Sequence, residues 1–406
     1  MEFFQKYKKI IFIIIFLLLP LLIGYLLYVV FFVQTGGPVE NKPAATENIS
    51  PITSGLPVAG GKIAANNYPG GGEKKEEGGA NGTDIIKTEP VAPVTDNQIL
   101  GAAADGANIK FYDQSDGKFY RVGNDGQIIA LNDQKFFDVK KVTWSPDRQN
   151  AVLEYPDGAN IVYDFNGKKQ ITLPAHWEGF AFSPDGASLV FKSIGMDPNN
   201  RWLAITNANG TKSRRIEEIG LNADKVIPLW SPNNQMIALY TEGIDMNRQE
   251  VFFVGLNGEN FKSMVVEGRG FIPKWSPKGD RLLYSVYSTD TNLKPMLWID
   301  NAVGDNIGTA RQRLDVETWA NKCVFKDDTA IYCGVPDYLE EGSGMMPELA
   351  QSTRDRLYQI DLKTGAKKII ASPSADYNVA ELMLSADGQH LYFTDADTKK
   401  LFKIDL

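Results

Sequence analysis

A four-residue turn that returns along the chain constrains its fold more than any other feature. The clearest copy is Ser183-Pro184-Asp185-Gly186, with Ala181-Phe182 ahead of it and Leu189-Val190-Phe191 behind. Proline presets φ for the second position of such a turn, aspartate bonds the local backbone, and glycine accepts a positive φ. The segment therefore reads as a β-hairpin. Strong copies stand at Trp144-Ser145-Pro146-Asp147, Trp230-Ser231-Pro232-Asn233 and Trp275-Ser276-Pro277-Lys278-Gly279. Fainter ones are Ala102-Ala103-Ala104-Asp105-Gly106, Phe325-Lys326-Asp327-Asp328 and Leu384-Ser385-Ala386-Asp387-Gly388. Aligned on the serine, they fall at positions 103, 145, 183, 231, 276, 326 and 385.

Repeats about 40–50 residues long, each holding several short strands, are the signature of β-propeller blades. Each repeat parses as four strands, a to d, with the recurring turn between a and b. In the second, b is 151–155, c is 160–164, an Asn166-Gly167 turn follows, and d is 170–173. The third and fourth repeat the scheme with Asn209-Gly210 and Asn257-Gly258, and Asn-Gly is a strong hairpin signal. The aromatic before the turn (Trp144, Phe182, Trp230, Trp275, Phe325) is expected to pack between blades. The last repeat runs out after strands at 391–394 and 401–406, so it lacks d. An open ring would leave unpaired edges. The apolar run Asp84-Ile85-Ile86-Lys87-Thr88 upstream is the expected donor of the missing strand. The expected fold is all-β, a seven-bladed propeller over 84–406, with six blades as the alternative.

The Ser-Pro-Asp-Gly hairpin followed by an apolar strand resembles the TolB-type, WD-repeat-like propeller repeat of bacterial envelope proteins. Related repeats occur in prolyl-oligopeptidase-type peptidases. The resemblance covers roughly residues 84–406, strongly in repeats two to five. It implies a binding module of the cell envelope. The chain departs from TolB in lacking that family's N-terminal α/β domain and in its blade count, since the TolB propeller has six.

The N-terminus reads as an anchor. Residues 10–33 carry no charge, long enough to span a bilayer, and Lys6, Lys8 and Lys9 precede them. A cleaved signal peptide would have a shorter apolar core and a small-residue cleavage site, which Phe31-Phe32-Val33-Gln34 does not supply. The lysines predict residues 1–9 in the cytoplasm and everything after Val33 outside the bacterial cytoplasmic membrane, in a single pass. Residues 34–83, rich in Gly, Pro and Asn, read as a flexible linker with a span of about 40 Å.

Enzymatic signals are sparse. No Gly-x-Ser-x-Gly elbow occurs, and the only two histidines, His176 and His390, have no clustered cysteine or second histidine for zinc. No enzyme, cofactor or metal site is expected. Of the net charge of −8, the first 33 residues contribute +2, so the remainder carries −10 and no basic stripe for nucleic acid.

A binding module remains. In a four-stranded blade the b–c and d–a connections share one face, and the longest irregular segments (194–200, 242–249, 289–294 and 335–353) all fall there. Candidate partner-binding residues on that face are His176, Trp177, Asp197, Arg201, Arg248, Tyr338, Glu340, Glu341, Met345 and Met346. The expected function is recognition of an envelope protein or glycan. The alternatives are a carrier or assembly factor in a larger envelope complex, and a lyase- or glycosidase-type propeller enzyme. Channel-lining His, Tyr, Arg or paired carboxylates would favour the enzyme; an apolar loop patch would favour binding. Finally, Cys323 and Cys333 flank a predicted a–b hairpin that sets them directly opposite, within disulfide reach.

Overall fold

The structure is a computed structural model that describes residues 18–19, 91–123, 125–371 and 376–406. Apart from Leu18 and Leu19, which are helical, the calls on residues 1–83 lie outside the described residues. Among the described residues no helix is long and apolar enough to cross a membrane.

From residue 91 onward the chain forms seven four-stranded antiparallel sheets. Six are sequential: 99–130, 141–173, 177–218, 226–266, 269–313 and 323–371. In the seventh, strands a (Val379–Leu384), b (His390–Asp395) and c (Leu401–Asp405) are completed by Ala92–Pro93, which pairs with Phe402 and Lys403. The fold is thus a seven-bladed propeller closed by its own N-terminal segment.

Closure occurs as expected, but through a different donor. The expected run 84–88 lies outside the described residues, and the d position belongs to Ala92–Pro93. Connection length explains the choice. Strand a of blade 1 begins at Ile99, so Ala92–Pro93 leaves five residues to cross from d to a. The segment is also pinned: Val94 N–H donates to Leu401 O (2.9 Å), and Thr95 Oγ1 accepts from Leu401 N–H (3.1 Å).

The recurring turn owes its shape to its serine. Ser145, Ser183, Ser231, Ser276 and Ser385 are all buried. Each hydroxyl accepts from the N–H five residues on, as Asn150 N–H donates to Ser145 Oγ (2.9 Å) and Met236 N–H to Ser231 Oγ (2.9 Å). Four of the five also donate to the Asp or Asn two residues later, a side chain that binds further backbone N–H groups; Ser276 donates to Asp280 instead. The fourth turn position is left-handed throughout. Glycine fills it at 186, 279 and 388, while Arg148 (φ 57°) and Asn234 (φ 61°) tolerate it elsewhere.

The core consists of seven apolar clusters, each shared by two consecutive blades. The cluster between blades 7 and 1 joins Met383, Tyr392 and Leu401 to Ile99, Ile109 and Phe111. The pre-turn aromatics are buried in these seams, as expected. Two also bind across them: Trp144 Nε1 donates to Gly101 O of blade 1 (2.7 Å), and Trp275 Nε1 to Leu229 O of blade 4 (3.5 Å). Blade-to-blade contact of this kind leaves no hydrophobic reason for the ring to stay open.

Candidate binding face and central channel

The b–c loops of blades 4, 5 and 6 are stitched to one another side by side. Asn247 of blade 4 exchanges two hydrogen bonds with Thr289 of blade 5, Nδ2 to Oγ1 (2.7 Å) and Oδ1 from N–H (2.9 Å). Gly342 and Gly344 N–H of blade 6 donate to Asn292 O (3.0 Å) and Leu293 O (2.8 Å) of blade 5. Glycine is required at 344, because a Cβ there would stand 2.6 Å from Tyr287 Cβ and 2.7 Å from Leu293 O. Beneath the blade 6 loop, Trp319, Leu339 and Ala350 form a small core of their own. These three loops are therefore one held surface.

The face to which it belongs presents apolar tips. Met196, Leu221, Ile244, Met246, Tyr338, Met345 and Met346 are all exposed, Met196 fully. All seven lie in b–c or d–a connections of blades 3 to 6. Burying such side chains would contribute roughly 1.5–3 kcal/mol each, so leaving them in water invites a partner.

The candidate residues distribute unevenly over this face. Tyr338, Glu340, Glu341, Met345 and Met346 are exposed along the blade 6 loop, with Lys294 Nζ of blade 5 over the Tyr338 ring (5.8 Å). Arg248 is exposed and paired with Asp245 (2.7 Å), which holds that carboxylate below its usual range. Asp197 is exposed and caps a short turn through Asn199 N–H (3.0 Å). Half-buried Arg201 closes the same loop by donating from Nε to Gly195 O (3.0 Å). His176 is exposed in the connection from blade 2 to blade 3.

Trp177 does not belong to the face. It is buried, begins strand a of blade 3 (Trp177–Phe182), and stacks on Phe191 with ring centroids 3.8 Å apart. Strand alternation explains the correction: His176 and Glu178 on either side are exposed while Trp177 points into the seam.

Two charged groupings went unread in the sequence. A cavity of about 620 Å³ along the propeller axis is lined by Trp230, Lys274, Trp275, Asn321, Glu381 and Asp395, among others. The Glu381 side chain, open to channel water, makes no hydrogen bond or ion pair among the described residues. Enclosure by protein pushes its pKa up, against the pull of Lys274 and Arg148. Burial lowers the Lys274 ammonium, which donates to Cys323 O. A charge inside an apolar innermost strand, as in Val379–Leu384, was the available signal. Neither histidine lines this cavity.

The second grouping borders a cavity of about 450 Å³ under the blade 6 loop. Buried Lys322 donates to Asp355 Oδ2 (2.8 Å) and Asn378 Oδ1 (2.8 Å), and Val379 N–H donates to the same carboxylate oxygen (2.6 Å). Burial raises the Asp355 pKa, with Lys322 opposing. Asn378 Nδ2 in turn donates to Gln351 O (2.8 Å), so this network anchors the end of the loop. Nearby, Cys323 faces Cys333 in the a–b hairpin of blade 6, in the register read from the sequence, with a disulfide and Cα atoms 4.1 Å apart.

No family model matches the chain, and no curated protein matches it by sequence. Solved structures do. One is an oligogalacturonate lyase in complex with manganese, at 14% identity and TM-score 0.51, covering 80% of this chain and 94% of that one. Another is the β-propeller domain of Myceliophteria thermophila Cps50 (Swd1), at 10% identity and TM-score 0.53, covering 79% and 99%. A third is Kuenenia stuttgartiensis hydrazine synthase, at 15% identity and TM-score 0.51, covering 81% and 99%. The chain is a seven-bladed β-propeller. At these identities the likeness is one of fold alone.

Proposed function

We propose that this propeller is a binding module, tethered through residues 10–33 to the outside of a bacterial cytoplasmic membrane, that recognises a protein or glycan of the cell envelope. The observation that carries the reading is the stitched loop face of blades 4 to 6 with its exposed methionine, isoleucine and tyrosine tips. A surface held in place by its own hydrogen bonds loses little freedom on binding, so more of its contact energy appears as affinity. The TolB-type turn, the uncharged run at 10–33 and the linker at 34–83 support the location. A carrier or assembly role would use the same face.

A catalytic reading has one observation in its favour, the unpaired Glu381 within reach of the fields of Lys274 and Arg148. Glycosidases of the common kind need two carboxylates. The other channel-lining carboxylate, Asp395, is occupied, accepting from Asn378 N–H (2.9 Å) and Thr398 N–H (2.9 Å). Binding at the face is therefore the stronger reading.

A photo-crosslinking side chain placed at Tyr338 or Met345, in the full chain in cells, tests it. Adducts should form there and be lost when the crosslinker is moved to Asp305 on the opposite face. Adducts from Asp305 alone, or from neither face, refute the reading. Protease added outside spheroplasts should cut within 34–83; protection of that segment refutes the topology.

A further inference from the structure

Charge on the loop face is one-sided once its ion pairs are taken out. Among the described residues, the cations that blades 4 to 6 place on this face are already engaged: Arg248 with Asp245, Lys294 with Glu317, Arg356 with Asp337, and Arg354 with Asp376. Arg269 donates to Asp245 O (3.0 Å). Asp290, Glu340, Glu341 and Glu348 make no ion pair among the described residues. The blade 6 loop, residues 337–354, carries four acids against one arginine, a net −3. The unpaired carboxylates stand among the exposed Met246, Tyr338, Met345 and Met346. Thioether side chains adapt to irregular apolar partners without a fixed shape of their own.

We propose that this face docks a basic, amphipathic segment of a protein partner, its Lys or Arg side chains meeting Asp290, Glu340 and Glu341 and its apolar side chains meeting the methionines and Tyr338. The proposal rests on the binding-face reading and narrows it from protein or glycan to a cationic polypeptide. Charge complementarity selects the occupant: like charges repel an acidic partner or an anionic lipid surface. Sugars are recognised by open aromatic faces beside unspent hydrogen-bond donors. Among the described residues of the blade 4 to 6 loops the exposed aromatic ring, Tyr338, already has Lys294 Nζ over it, and the donors of Arg248 and Arg356 are spent on Asp245 and Asp337.

The test measures fluorescence anisotropy of two designed helical peptides, titrated with the full chain. One carries leucine at helical spacing with lysine on the opposite face; the other replaces every lysine with glutamate. The Lys/Leu peptide should bind at least tenfold more tightly than its Glu/Leu counterpart and weaken as salt is raised. Charge reversal at Glu340→Lys with Glu341→Lys should weaken it at least tenfold, and Met345→Ser with Met346→Ser at least fivefold. Asp305→Lys, an exposed acid on the opposite face, should change it less than twofold. Equal binding of the two peptides, or an Asp305→Lys effect as large as that of the double charge reversal, overturns the proposal. Failure of the Lys/Leu peptide while crosslinks from Tyr338 persist also overturns it and leaves the face a binding site of other chemistry. Loss of both takes the binding-face reading down as well.

Discussion

Breaking the Cys323–Cys333 crosslink has an effect that can be worked from the structure. The bond joins residues 10 apart in sequence, so it closes a loop of about 11 residues, and the chain-entropy relation gives about 9 cal/mol/K, or about 2.8 kcal/mol at 25 °C. Unfolding entropy near 2.1 cal/mol/K per residue makes roughly 0.66 kcal/mol/K for a propeller spanning 91–406. The quotient is a fall in Tm of about 4 °C. Both cysteines are completely buried, so protein refolded under reducing conditions isolates the crosslink, whereas Cys323→Ala with Cys333→Ala adds a cavity and should fall further. The assay is a calorimetric melt of oxidised and reduced protein beside thiol titration of unfolded, unreduced chain. Two titratable thiols would refute the bridge. A Tm unchanged on reduction, with no thiols titrated beforehand, would refute the entropic account of what the bridge does.

Removing 91–95 should open the ring. It strips Val91 and Val94, two half-buried side chains worth about 1.5 kcal/mol each, along with the pairing to Phe402 and Lys403; deletion of 36–79 should leave the melt unchanged, and equal melts for the two deletions would contradict closure at Ala92–Pro93. Lys322→Met leaves the buried Asp355 carboxylate unpaired and should cost about 3–5 kcal/mol at pH 7. The folded pKa of Asp355 is raised, so the folded state takes up the proton first and stability is regained as pH falls through that pKa toward the unfolded value near 4. Denaturation at pH 7 and pH 5 checks this; a deficit relative to wild type that does not shrink is the contrary result. Gly344→Ala should cost about 1–3 kcal/mol by overpacking and speed amide exchange at Gly342 and Gly344, as the new Cβ drives the blade 6 loop off Leu293. Unchanged exchange would show that the seam yields without opening.

Hairpins were readable in this chain because their causes are local. Turn chemistry at Ser183-Pro184-Asp185-Gly186 and its copies, with apolar residues on both sides, determined seven repeats, the a–b register and hence the facing of Cys323 and Cys333. The missing seventh d strand, with the cost of an open edge, determined that the ends must meet. What the turn could not reveal was the buried serine hydroxyl, which works by bonding backbone five residues away rather than by setting φ. Tertiary structure decided everything that depends on which segment reaches which. Thr95 finds Leu401 across 306 residues, and so Ala92–Pro93, not 84–88, holds the closing position. Lys322 meets Asp355 and Asn378 only because blades 6 and 7 adjoin, and Lys274 and Glu381 share a channel only because the ring closes. Trp177 turned inward because it begins strand a of blade 3 instead of lying in the connection before it, and successive side chains of a strand point to opposite faces.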